Sequence, residues 1–312
     1  MTSDSPELQG LMKSLFPGIS IAGVAKASGQ RVVYFCKFSP PPLNIKGIPE
    51  YKDWSVWGDV VLKVSSGMDA HSIAYLQMEI AVLNSLDSPH YPKMHYYELF
   101  VEDPDTGEKL PERLFVTIET RIDAEPLSAC QDRFRDERSV IDLLLKLIDA
   151  LALLWGHEKK LVHRDLKPDN ILINKTNGVA IIDLGILRET GATGITATHA
   201  IFGPLSCHYT SPEQATNDKK NISFKSDLFA LATIAYELMA MQNPYAMNPG
   251  LSFHEILTNV INHVPPRADT KSKCSKNFAN ILEKMMQKDP YRRYRTPASL
   301  REELKALQGV PT

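Results

Sequence analysis

Apolar and polar positions change period several times along this chain. Residues 1–17 carry a sparse apolar stripe, Leu8, Leu11, Met12, Leu15 and Phe16, which predicts a short helix ended by Pro17-Gly18. From Ile19 to Phe38 the pattern reads as strand, turn, strand, with the β-rich run Val32-Val33-Tyr34-Phe35 in its second half. Asp59 to Val64 is a nearly continuous apolar run that carries one lysine, Lys63, and predicts a buried strand. Between Ser72 and Leu86 the spacing of Ile73, Leu76, Ile80 and Leu83 is that of one helix face. Leu99-Phe100-Val101 and Leu114 to Ile118 read as strands joined by the turn-rich Asp103 to Gly107. Beyond residue 120 the pattern becomes helical. Val140 to Lys160 is strongly apolar through Ile141, Leu144, Leu145, Ile148, Leu151 and Leu154, and Ser226-Asp227 opens a second apolar helix. A β-rich first part with one main helix and a helical second part make an α+β chain.

At 312 residues the chain exceeds the usual 50–250 residue domain, which predicts one large bilobal domain or two smaller ones. The net charge of −2 gives no global reason to expect nucleic acid or an anionic membrane as partner. Lys271, Lys273 and Lys276 read as a solvated loop. Cys36, Cys130, Cys207 and Cys274 are far apart and lack metal or disulfide spacing, which fits a reducing, cytoplasmic setting. The longest apolar stretch, Leu228 to Met241, is short and contains Glu237, so no membrane span is expected. The N-terminus, with Asp4 and Glu7, does not read as a signal peptide.

The chemistry concentrates in Leu161 to Asn170, L-V-H-R-D-L-K-P-D-N. Asp165, Lys167 and Asn170 give one loop a carboxylate, an amine and an amide, and Asp183 follows in Ile181-Ile182-Asp183-Leu184-Gly185. Such a set can position a hydroxyl, hold divalent cations on phosphate oxygens and neutralise developing charge.

This stretch resembles the catalytic loop of eukaryotic-type Ser/Thr protein kinases, with H-R-D-L-K-P-x-N unsubstituted. The resemblance runs from about residue 19 to 308 and implies a kinase fold: an N-terminal extension 1–18, an N-lobe 19–120 and a C-lobe 121–312. By this resemblance the cofactors are ATP and Mg²⁺, Asp165 accepts or orients the substrate hydroxyl proton, and Lys167 stabilises the transferred phosphoryl group. Asn170 and Asp183 would hold the metal. Lys63 would touch the nucleotide phosphates and pair with Glu79 on the Ser72–Leu86 helix. Val33, Val61 and Leu172 would line the nucleotide, Ile118 would guard a back pocket, and Glu119-Thr120-Arg121-Ile122 would form the hinge. His163 and Leu184-Gly185 would support the catalytic turn, Asp227 would open a central helix, and Glu213 would bridge to Arg293. Arg164 would meet a phosphate on the long segment after Gly185, with Thr196 and Thr198 as candidate sites. Protein substrates and a regulatory protein partner are the implied partners.

Three features depart from the family. The first hairpin turn has one glycine, Gly29, where the family is Gly-rich, and Arg31 is a candidate to supply charge instead. Ser39 to Val56 is a Pro-rich insertion, including Pro40-Pro41-Pro42, and Gly203 to Pro212 is longer than the usual spacing. They keep open two alternatives, a nucleotide-binding pseudokinase or scaffold and a small-molecule kinase.

Overall fold

The computed structural model describes residues 4–28, 31–39, 54–103, 106–184, 188–189 and 207–309. Gly29, Gly185, Thr196, Thr198 and most of the Pro-rich insertion lie outside the described residues. The chain divides into two compact units, Met1–Ile122 and Asp123–Thr312.

The first unit is built on a five-stranded antiparallel sheet. Its strands are β1 (Ile19–Ser28), β2 (Arg31–Phe38), β3 (Asp59–Ser66), β4 (Met94–Glu102) and β5 (Lys109–Thr120), in the order β1-β2-β3-β5-β4. Side chains alternate across a strand, so the register fixes the two faces. One face gathers Val32, Tyr34, Val60, Leu62, Val64, Val116 and Ile118. It is covered by α1 (Pro6–Leu15), whose Leu8 and Met12, with Phe16 just beyond, are buried to 1% exposure or less. The expected helix therefore forms, and it is part of the core. Ser5 caps it by accepting from Leu8 N at 3.2 Å, and Asp4 reaches back to accept from Tyr34 Oη at 2.9 Å.

The other face takes α2 (Ala70–Ser85), whose Leu76 and Ile80 pack against Phe115. Asp69 caps α2, accepting from Ser72 N at 2.8 Å. At the end of the insertion, Trp54 and Trp57 stack at 6.0 Å, and both lie against Phe38.

In the second unit α3 (Glu137–Trp155) buries nine side chains from Val140 to Leu154, among them Leu144, Ile148 and Leu151. It stops at Gly156, where a Cβ would meet the Ala152 carbonyl oxygen at 2.9 Å. Against it pack α5 (Phe224–Ala240) and α8 (Pro297–Leu307), with α4 (Pro212–Ala215), α6 (Phe253–Asn262) and α7 (Lys276–Met285) completing the helical layer. Short strands hold the loops: β6 (Glu125–Pro126), β8 (Ile171–Ile173) and β9 (Val179–Ile181) form one sheet, and β7 (Leu161–Val162) pairs with β10 (Arg188–Glu189).

Candidate functional site

In the first unit the candidate residues share one sheet face. Val33 lies opposite Lys63, and Lys63 opposite Thr117; in the next row Phe35 faces Val61, and Val61 faces Glu119. Lys63 Nζ is 2.8 Å from Glu119 Oε1, with side-chain exposures of 11% and 4%. An ammonium buried this far needs such a partner, because an isolated charge loses several kcal/mol of hydration. Glu79 is buried on α2, next in sequence to Ile80 of the cluster that packs on Phe115. Ile118, expected at a back pocket, points the other way: opposite Leu62, it is buried in the core under α1. The back-pocket assignment to Ile118 is therefore corrected, because Thr117 and Glu119 are the β5 side chains on the Lys63 face. Glu119 belongs to the strand and not to an extended hinge. Arg121 follows, exposed, with its guanidinium 4.2 Å above the Phe35 ring. Arg31 Nε donates to Ser65 Oγ at 3.3 Å.

In the second unit Asp227, at the start of α5, organises the catalytic loop. Its buried carboxylate accepts from Trp155 Nε1 at 2.8 Å, His163 N at 3.0 Å and Arg164 N at 3.0 Å. Burial pushes its carboxyl up, and the hydrogen bonds from Trp155, Arg164 and His163 pull it back. His163 is wholly buried and bridges to the Ile182 carbonyl at 3.3 Å, tying the loop to the chain before Asp183. Its Nδ1 accepts from Asp165 N at 3.3 Å.

Asp165 is the focus of the loop. Lys167 Nζ donates to its Oδ2 at 2.7 Å, and Asn170 Nδ2 donates to its carbonyl at 2.9 Å and to Oδ2 at 3.1 Å. With both its N–H contacts spent on Asp165, the Asn170 amide keeps its oxygen as an acceptor. Ile182 N donates to the Asn170 carbonyl at 3.0 Å, which joins the β8 and β9 ends. Leu172 is half-buried on β8 between buried Ile171 and Ile173, and Leu184 is buried just after Asp183.

Arg164 and Asp183 both adopt left-handed backbone, with φ of 70° and 66°. For residues other than glycine this costs about 1–2 kcal/mol, and it concentrates where surroundings hold a residue in place for use. Gln214 of α4 accepts from Ser211 and donates to the Arg164 carbonyl at 2.9 Å. Below α4, Arg293 makes a two-pronged ion pair with Glu213, at 2.7 and 2.8 Å, with both side chains essentially inaccessible.

The profile of the protein kinase domain matches residues 59–304, from β3 to the last helix. The chain belongs to the protein kinase family. Among curated relatives, it is 30% identical over 168 residues to the serine/threonine-protein kinase PrkC of Bacillus subtilis, covering 54% of this chain and 25% of that protein. It is 32% identical over 157 residues to the serine/threonine-protein kinase PknB of Mycobacterium tuberculosis, covering 49% of this chain and 24% of PknB. The match to PknB of Mycobacterium leprae is 32% over 156 residues, again 49% and 24%. The chain thus spans about a quarter of the length of these relatives. The kinase match begins after the hairpin whose turn carries Gly29 alone. Among the described residues no helix is long and apolar enough to cross a membrane.

Two contributions escape the motifs of this chain. Trp155 and Gln214 fasten the catalytic loop from outside it. Glu119 meets Lys63 from the neighbouring strand, and the signal was present in the alternation of Val116-Thr117-Ile118-Glu119, whose odd members share a face.

Proposed function

We propose that this chain is a Ser/Thr protein kinase that transfers the γ-phosphate of Mg-ATP to serine and threonine hydroxyls of protein substrates, its own segment after Gly185 included. The observation that carries the reading is the Asp165 carboxylate, held at once by Lys167 and Asn170. Held so, Asp165 orients the incoming hydroxyl and takes its proton as the oxygen attacks phosphorus. Lys167, already beside Asp165, places its ammonium where negative charge grows on the transferred group. Lysine at this position resembles the Ser/Thr-specific branch of the family.

Lys63 supplies charge to the nucleotide phosphates from the sheet, with Val33 and Val61 as apolar lining beside it. The Asn170 amide oxygen and the Asp183 carboxylate are hard oxygen donors, the set that suits magnesium, which keeps several waters and takes few protein ligands. When bound, magnesium neutralises charge on the phosphate oxygens. Glu79 supports Lys63 from α2, Arg121 and the backbone beside it receive the base, and Leu172 is a further apolar candidate for the base. Arg164 meets a phosphate on the segment that contains Thr196 and Thr198, through charge-assisted hydrogen bonds. The metal-holding roles are tested by Asn170→Ala and Asp183→Asn. Each should lower Mg-dependent transfer by two orders of magnitude or more while the protein stays folded. Transfer at wild-type rates in both variants would remove the metal roles.

A further inference from the structure

We infer that Glu119 is a positioning residue for Lys63, a strand-borne anchor that fixes the ammonium independently of α2. The inference rests on the reading of Lys63 as the phosphate-binding lysine. Lys63 and Glu119 stand on adjacent strands, on the same face and one pleat apart. The β3–β5 ladder runs from Val60↔Thr120 to Ser66↔Leu114 without a register shift, so backbone hydrogen bonds fix the spacing of the two side chains. The 2.8 Å contact and low exposure of both groups make it a desolvated pair, stronger than an ion pair at the surface.

The helix offers a softer support. α2 meets the sheet through a small cluster, Leu76, Ile80 and Phe115, and its hold on the sheet can change without breaking the ladder. A carboxylate on β5 therefore keeps the Lys63 ammonium directed from the sheet itself. Glu119 does not touch the reacting atoms; it acts through Lys63.

The test compares Glu119→Gln, Glu119→Asp, Glu79→Gln and Lys63→Met in the full chain, with thermal unfolding as a control for folding. Labelling of Lys63 by acetic anhydride at pH 8, read by peptide mass spectrometry, reports how much of the amine is neutral and needs no activity. Glu119→Gln should raise labelling at Lys63 several-fold, because the anion that favours the charged form is gone. Glu119→Asp, which keeps the charge, should restore part of the protection. In phosphoryl transfer, Glu119→Gln should raise KM for ATP about tenfold and lower kcat less. Glu79→Gln should raise Lys63 labelling less than Glu119→Gln does. Unchanged labelling and KM in Glu119→Gln, or a larger effect of Glu79→Gln on labelling, would overturn the inference. If Lys63→Met transferred phosphate as well as wild type, the role of Lys63 itself would fail instead.

Discussion

Asp165, Lys63 and Arg293 illustrate three ways in which one residue's chemistry is fixed by neighbours. Asp165 is held by residues two and five positions on, so its surroundings were legible in the linear motif. Lys63 was legible as a lone charge in an apolar strand, but its strand partner was not. A one-residue slip of register turns a side chain to the other face, and sequence placed Ile118 where the ladder places Thr117 and Glu119. Arg293 and Glu213 are eighty positions apart, and only the flanking motifs linked them before the geometry did. Removing one partner leaves a buried charge unmatched, so Arg293→Ala should cost about 3–5 kcal/mol in denaturant unfolding. A loss under about 1 kcal/mol would mean that the pair is not buried in solution.

Lys288 allows a pH test at the same scale. Burial, and then the nearby Arg293 charge, push its ammonium down to about 8, and its Nζ sits 4.3 Å above the Tyr245 ring. Between about 8 and the ordinary 10.5, the unfolded chain holds a proton at Lys288 that the folded chain has released. Raising the pH through this window therefore favours the folded state at this site. Measured against Lys288→Met, wild type should gain stability as pH rises from 8 to 10. A difference that stays flat across that range would contradict the assignment.

Among the elements, the N-terminal helix forms where its apolar stripe predicted it, and its packing is what the sequence did not show. The stripe Leu8, Met12 and Phe16 predicted a helix, but a sparse pattern does not say what it packs on. The structure lays it over the sheet face opposite Lys63, with those three side chains shut away. Met12→Ala should then cost about 2–4 kcal/mol, the range for a buried large-to-small change, with no direct loss at the Lys63 face. Circular dichroism during thermal unfolding would show it, and an unchanged midpoint would mean that α1 is not docked. The elements of the second unit were more legible, since α3 and α5 carry long apolar faces and capped starts. Asp136 caps α3 and the Ser223–Ser226 box caps α5, both readable as local chemistry.

Across the whole molecule, each unit carries its own set of candidate residues. The first brings a paired lysine on a rigid sheet, and the second brings a carboxylate, an amine and an amide on a loop fastened by Asp227. The motif residues of that loop could be read because they are close in sequence. Trp155 and Gln214 could not, because folding alone brings them to the loop, and for Glu119 the strand alternation gave the face but not the partner. The central claim is phosphoryl transfer that depends on Asp165. The most direct measurement is transfer of labelled γ-phosphate from Mg-ATP, by purified wild type and Asp165→Asn, to the protein itself and to a generic protein substrate. The account predicts label on serine and threonine in wild type and a loss of about 10²–10⁴-fold in the variant. Equal transfer by both proteins, or no transfer by wild type that binds ATP, would contradict it.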